Sequence, residues 1–284
     1  MDQRLSFNRD LIEKYDRPGP RYTSYPTAPQ FHKAFAMDDY QAAAKASNAA
    51  ASPKPLSVYI HIPFCKSLCY YCACNKIITH KTERAVEYLQ YLKREIAEQA
   101  SLFDPSRRLT QLHLGGGTPT YFTSEQLADL MQTLRDAFNM QDSEAHEFSL
   151  EVDPRTVSPQ QIHTLRELGF NRLSFGVQDF DAAVQAAVNR VQSEQQIRDL
   201  VVAARNADFK SVSVDLIYGL PLQTVASFDT TLAKIIDVRP DRIAAYSYAH
   251  LPEQVKAQGL IRMEDMPPPE RKLELLELTI HRLT

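Results

Sequence analysis

The chain has 284 residues, is 44% hydrophobic and 24% charged, and carries a net charge of −3. That is the profile of an ordinary globular protein long enough for a sizeable core, as one large domain or a domain plus an arm. The charge balance gives no electrostatic footprint for nucleic acid or a membrane surface, and no apolar run is long enough for a signal-peptide core or a bilayer span.

Residues 1–55 read as an N-terminal arm. Asn8–Tyr15 has room for one or two helical turns, and Pro18, Gly19, Pro20, Pro26 and Pro29 then enforce extended, irregular backbone. Asp38–Ala51 is alanine-rich and predicted helical, with Ser52–Pro55 as a linker. From Leu56 the pattern changes to short apolar runs alternating with amphipathic stretches. Strands are expected at Leu56–Ile62, Gln111–Leu114, Glu147–Val152, Arg172–Val177, Val212–Tyr218 and Arg242–Tyr248. Helices are expected at Thr82–Ser101, Ser124–Phe138, Ser158–Leu168, Asp181–Ala207 with a break near Val191–Ser193, Val225–Val238 and Pro269–Thr284. Ser124 and Ser158 read as N-caps, the second with Pro159 at N1, and Gly169 as a helix-ending glycine. Six strands alternating with helices imply βα units and a parallel sheet. Periodicity does not separate an open (β/α)6 barrel from a flat, doubly wound sheet. In either case the strands' C-terminal ends carry the candidate functional residues.

All four cysteines, Cys65, Cys69, Cys72 and Cys74, lie in one short loop after the first strand. Cysteines placed for packing would scatter, so the grouping implies a shared ligand or redox task. Disulfides have no partner cysteines elsewhere, and reduced thiols without an export signal point to the cytoplasm. Zinc remains open, because four thiolates can close a tetrahedron, although structural zinc sites usually pair two knuckles from separate elements. The C-x3-C-x2-C spacing in a single turn suits an iron–sulfur cluster better, with one thiolate on each of three irons. Three further features have bland readings beside functional ones. Gly115-Gly116-Gly117 is a turn or a site of close backbone approach. Glu151 is a solvated strand tip or a base, and Asp153 before Pro154 reads as a turn residue. His61 reads as a packed, hydrogen-bonded histidine sharing a strand face with Tyr59.

The C-x3-C-x2-C loop, the preceding Tyr59-Ile-His-Ile-Pro-Phe64, the adjoining Cys74 and the arm segment Pro18-Gly-Pro-Arg-Tyr-Thr-Ser-Tyr-Pro-Thr27 together resemble the radical S-adenosylmethionine (SAM) enzymes of the oxygen-independent coproporphyrinogen III oxidase family. The resemblance runs from about residue 8 to the last residue. It implies an α/β fold, a partial (β/α)6 barrel over 56–284 open on one side, with residues 1–55 as the arm. It also implies that the family's helical C-terminal domain is missing, so that the chain is a truncated form. It assigns Cys65, Cys69 and Cys72 to a [4Fe-4S] cluster. Two SAM molecules are implied, the first near Tyr59 and Glu151 and the second near Gly116, Gly117, Thr118, Gln178, Arg190, Asp215 and the Ala249 backbone. Tyr71 stands where the family often has phenylalanine, and its ring still suits stacking on adenine. Arg21, Tyr22 and Cys74 are the expected substrate-side residues, Cys74 with a buried thiol, or one that only supports the ligating cysteines, as its bland alternative.

The implied reaction is oxidative decarboxylation of two propionates of coproporphyrinogen III to vinyl groups, giving protoporphyrinogen IX. A low-potential donor such as flavodoxin or ferredoxin and a monomeric state go with it, without nucleic acid or membrane insertion. Two alternatives stay beside it: a haem-binding chaperone of the same superfamily, and a non-catalytic metal-binding product.

Overall fold

The computed structural model describes residues 7–15, 26–140 and 145–284. Its frame is a six-stranded, wholly parallel sheet. The strands are β1 (Leu56–Ile62), β4 (Leu109–Gly116), β5 (Glu147–Val152), β6 (Arg172–Gln178), β7 (Ser211–Tyr218) and β8 (Arg242–Ser247). A two-residue parallel ladder, β2 (Phe64–Cys65) with β3 (Ile77–Ile78), stands apart from it. Helices α3 (Glu83–Ala100), α4 (Ser124–Ala137), α5 (Pro159–Glu167), α7 (Glu194–Asn206) and α8 (Val225–Val238) each follow a strand, and α9 (Pro269–Leu283) comes after β8. The short α6 (Ala182–Ala187) precedes α7, while α1 (Arg9–Tyr15) and α2 (Met37–Asn48) belong to the N-terminal region.

The strand order β1-β4-β5-β6-β7-β8 follows the chain without reversal. A doubly wound sheet needs a point where the order turns back, and none exists here. With right-handed crossovers throughout, an unreversed order puts every helix on one side. The result is the open (β/α)6 architecture expected from the resemblance, with β1 and β8 unpaired at its two edges. The predicted strands and helices all appear, with ends shifted by no more than two residues except in the broken helix and in α2, which stops at Asn48, three residues short of the expected Ala51. There the gap runs from Val188 to Ser193, with Asn189 in the left-handed region (φ 52°), which asparagine tolerates.

Strand alternation sorts the side chains. Phe148, Leu150 and Val152, then Leu173, Phe175 and Val177, then Val212, Val214 and Leu216 face the helices and form the core. Against them lie one-sided helices; α3, for example, buries Ala85, Leu89, Leu92 and Ile96. The intervening residues, Ser149 and Glu151, Ser174 and Gly176, Ser213 and Asp215, occupy the opposite face and are small or polar. The helix caps agree with the sequence except at one position. Ser158 caps α5, but Thr123 rather than Ser124 caps α4. Gln126 stands three residues after Thr123, so its side chain accepts from Thr123 N (2.9 Å) while Thr123 Oγ1 accepts from Gln126 N (3.3 Å).

Two devices fix the ends of the strands. At β4, Gly117 passes so close to the segment after β1 that an added Cβ would lie 2.6 Å from Pro63 O and 2.8 Å from Phe64 O. Gly117 N donates to Ile62 O and Thr118 N to Phe64 O, both at 2.8 Å, tying this strand end to the root of the cysteine loop. At β6 and β7, buried Gln223 donates to Asp179 Oδ2 (2.5 Å) and Ile217 O (3.1 Å) and accepts from Gly219 N (2.6 Å). Asp179 Oδ1 also accepts from Thr231 Oγ1 and Asp181 N, both at 2.7 Å, so this buried carboxylate is satisfied by neutral donors.

Gln223→Leu strands these buried groups. It should cost about 3 kcal/mol in urea unfolding, against less than about 0.5 kcal/mol for a surface control such as Gln132→Leu. Gly117→Ala should lower iron bound per chain after anaerobic reconstitution severalfold while leaving far-ultraviolet circular dichroism unchanged, because the clash is confined to the loop root.

Candidate functional site

The small and polar face of the sheet opens into a cavity of about 280 Å³ at the strands' C-terminal ends. Its wall is assembled from separate strands. Gly116 comes from β4, Glu151 from β5, Ser174, Gly176 and Gln178 from β6, Asp215 and Ile217 from β7, and Tyr246 from β8. Register makes the rows: Glu151 pairs with Ser174, and Gly176 with Asp215. The cysteine loop closes the remaining side, with Cys65, Cys69, Tyr71, Cys72, Cys74 and Lys76 at the same cavity.

The loop is held by contacts from distant elements. Thr79 N donates to Cys65 O (3.0 Å) and Ile77 N to Pro63 O (2.7 Å) across the short ladder. Asn189 Nδ2 donates to Leu68 O (2.7 Å) and Tyr70 N to Val188 O (3.0 Å), so the break between α6 and α7 grips the middle of the loop. Lys76 Nζ donates to Cys72 O (2.6 Å), and His61 Nε2 bonds Asn75 O (2.8 Å) at the loop's exit. His61 Nδ1 meets Tyr59 Oη (3.0 Å), as their shared strand face required.

Each thiol has its own surroundings. Thr118 Oγ1 donates to Cys65 Sγ (3.4 Å), while burial pushes the Cys65 pKa up. A hydrogen bond from the Cys74 thiol holds the Cys72 pKa down to about 6 despite burial, and the same contact pushes Cys74 upward. Cys74 is exposed rather than packed in the core, and its hydrogen bond to Cys72 keeps the alternative of a thiol that acts through a neighbouring cysteine. Cys69 is buried and accepts from two guanidinium groups, Arg155 Nη2 at 3.3 Å and Arg190 Nη1 at 3.4 Å.

Arg190 is also buried. Its Nη2 donates to Gly176 O (2.7 Å) and its Nη1 to Asp153 Oδ2 (3.3 Å). Asp153 therefore does more than make the expected turn: it accepts from Arg155 N, Nε and Nη2 and joins both arginines. Burial works against its charge, but Arg155 and Arg190 outweigh it and hold the carboxyl below its ordinary pKa. Across the cavity, His113 Nε2 lies 3.2 Å from Glu151 Oε1 and its Nδ1 lies 2.6 Å from Ser149 Oγ, while Gly116 N donates to Glu151 Oε2 (3.3 Å). Tyr59 stacks on His113 with ring centroids 5.8 Å apart.

Among the described residues, no three His, Cys, Asp or Glu side chains converge closely enough to share one metal ion. Cys65, Cys69 and Cys72 instead spread around one cavity, the arrangement a multi-iron cluster needs, with one thiolate per iron. Two buried polar atoms of cavity residues, Gln178 Oε1 and Arg190 Nε, have no hydrogen-bond partner among the described residues, so the wall keeps unused hydrogen-bonding capacity. The donor set thus fits a cluster with a polar ligand beside it.

Most of the residues singled out from the sequence meet here: the three cluster cysteines, Cys74, Tyr71, Gly116, Gly117, Thr118, Glu151, Gln178, Arg190 and Asp215 all line the cavity. Tyr59 is not on its wall but stacks on His113, which in turn contacts the wall residue Glu151, and Ala249 O accepts from Gln258 Nε2 (3.1 Å) away from it. Arg21 and Tyr22 lie outside the described residues. Sequence reasoning missed Arg155, His113 and Ser174. The alternation of small polar with apolar residues along β5 and β6 was the available signal for the last; a lone arginine after a proline carried none.

The Radical SAM superfamily model matches residues 59–235. An oxygen-independent coproporphyrinogen III oxidase from Pseudomonas aeruginosa is 47% identical over 279 residues, covering 98% of this chain and 60% of the relative. One from Escherichia coli is 47% identical over 283 residues, covering 99% and 60%. The solved coproporphyrinogen III oxidase (HemN) from Escherichia coli, described as a radical SAM enzyme, superposes with a TM-score of 0.90 at 45% identity, covering 99% of this chain and 62% of that one. The chain therefore spans about 60% of the length of the relatives it matches. With its cysteine loop, parallel sheet and family match in agreement, the chain belongs to the Radical SAM superfamily.

Proposed function

We propose that this chain carries the catalytic part of an oxygen-independent coproporphyrinogen III oxidase, which converts two propionates of coproporphyrinogen III to vinyl groups and yields protoporphyrinogen IX. The observation that carries the reading is one cavity lined by Cys65, Cys69 and Cys72 together with Gly116–Thr118 and Glu151, in a chain nearly half identical to oxidases of that name. That identity is also the reason to prefer an oxidase over a haem chaperone or a non-catalytic metal-binding product. Residues 1–55 form the arm and 56–284 the catalytic unit. A low-potential donor such as flavodoxin or ferredoxin, a cytoplasmic location and a monomeric state go with this reading. Among the described residues no helix is long and apolar enough to cross a membrane.

Cys65, Cys69 and Cys72 would hold a [4Fe-4S] cluster. When bound, the cluster and SAM supply a 5′-deoxyadenosyl radical that takes a hydrogen atom from a propionate β-carbon, after which loss of one electron and carbon dioxide leaves the vinyl group. The protein's own part is placement. Glu151, held between His113 and Gly116 N, accepts hydrogen bonds from the first SAM, and Tyr59 braces His113 from behind. Gly116, Gly117 and Thr118 bring backbone close to a ligand, and Tyr71 offers its ring. Gln178, Arg190 and Asp215 serve the second SAM, where the guanidinium suits a carboxylate. Arg21, Tyr22 and Cys74 act on the substrate side. Fixed geometry matters because a radical must meet one hydrogen and nothing else.

Among the described residues, Asp215 has no cation in direct contact to support its charge. Burial pushes its pKa up to about 6, against the hydrogen bond from Ser174 Oγ (3.1 Å). The folded state thus binds its proton more tightly than the unfolded chain. Stability from this group is full below about pH 4 and is lost as pH rises through about 6, by about 3 kcal/mol at most. Asp215→Asn lacks that loss. Urea unfolding should show the variant gaining on the parent chain between pH 4 and 7; a constant difference across that range would contradict the assignment. For the activity, the reconstituted chain is incubated anaerobically with SAM, dithionite and coproporphyrinogen III. Mass spectrometry should show a tetrapyrrole lighter by two formic acid equivalents together with 5′-deoxyadenosine, and Cys69→Ser should yield neither. Deoxyadenosine without a lighter tetrapyrrole would overturn the proposed substrate.

A further inference from the structure

Arg155 is built into the cavity in a way the turn it belongs to does not need. It sits in the short 3-10 turn Pro154–Thr156, which Asp153 already caps by accepting from Arg155 N (3.0 Å). The same carboxylate then grips the side chain twice, Oδ1 accepting from Nε (3.0 Å) and Oδ2 from Nη2 (2.7 Å). That fork fixes the guanidinium plane. Nη2 has two hydrogens, and with one given to Asp153 the other points to Cys69 Sγ at 3.3 Å. The Arg155 side chain is 20% exposed, the Asp153 side chain 11%, and Cys69 as a residue 6%, so solvent screens this contact little. Arg190 divides its donors among Gly176 O, Asp153 and Cys69, whereas the grip on Arg155 leaves its free Nη2 hydrogen directed at the sulfur.

We propose that Arg155 is a positioning residue that sets the reduction potential of the cluster through the sulfur of Cys69. The proposal rests on the reading of Cys69 as a cluster ligand. Its physical basis is simple. Reduction adds negative charge to the cluster and its sulfurs, and an N–H donor bearing a positive charge stabilises that added charge, which raises the potential. Asp153 partly offsets the charge but fixes the direction of the donor, so the hydrogen bond survives where a free arginine would turn to solvent. Arg155 thus makes the cluster easier to reduce by a weak donor.

The test is an electron-paramagnetic-resonance redox titration of the reconstituted chain, with iron and sulfide content measured on each sample. Arg155→Leu should be about tenfold harder to reduce, a fall of about 59 mV for a one-electron couple. Arg155→Lys keeps the charge but cannot be forked by Asp153, and should fall between the two. An Arg155→Leu protein with full iron content and the parent's potential overturns the proposal. Should Arg155→Leu fail to hold a cluster, Arg155→Lys and Arg155→Gln decide: a lowered potential in both supports it, and the parent's potential in both overturns it. Cys69→Ser separates the two levels. If it retains the parent's iron content and spectrum, Cys69 is not a ligand and the site reading fails with the proposal. If it loses them, the reading stands and the Arg155 titration judges the proposal alone.

Discussion

Three thiols serve one cluster only if the loop that carries them keeps one shape, and that loop has almost no regular structure of its own. Beyond the two-residue ladder, its backbone is held by Lys76 from within the loop and by groups that belong to other elements. The end of β4 passes under its root at a distance that only glycine permits. The break between α6 and α7 holds its middle through Asn189 and Val188, and Lys76 and His61 tie down its exit. The rest of the site depends on this seating, because the sheet offers a cavity wall but no thiols.

The sheet's contribution follows from alternation along its strands. One row of side chains is apolar and joins the helices in a continuous core. The other is short or polar and leaves room. Ser174 and Gly176 leave space where a larger residue would fill it, and the acids Glu151 and Asp215 stand in that space. A carboxylate away from water is costly unless paired, and the site handles its acids differently. Glu151 has His113 and a backbone N–H, Asp153 has two guanidinium groups, and Asp215 has Ser174 as its hydrogen-bond donor among the described residues, with burial raising its pKa.

Positive charge is concentrated at Cys69. Two arginines at one buried sulfur would repel each other without Asp153 between them, so the carboxylate is the element that makes the pair possible. The arrangement ties electrostatics to backbone, since the same aspartate caps the turn from which Arg155 projects. Ion pairs this buried are stable only when hydrogen bonding is nearly complete. Among the described residues, Arg190 Nε is left without a hydrogen-bond partner.

The sequence alone determined the local facts. Cysteine spacing singled out the loop that lines the cavity, period-two and helical patterns located the strands and helices, and the motif likeness named the superfamily, since each depends on residues near one another in the chain. Local signals were also where the reading slipped by one place: Ser124 resembles a cap as well as Thr123 does, and only the reciprocal bond from Gln126 chooses between them. Tertiary structure alone decided the strand order, which removed the doubly wound alternative, and the partners of the thiols. Arg155 meets Cys69 across 86 positions and Asn189 meets Leu68 across 121. No periodicity or spacing encodes such a pairing, because it arises only when separate strand ends are brought to one rim and their side chains compete for the same buried space.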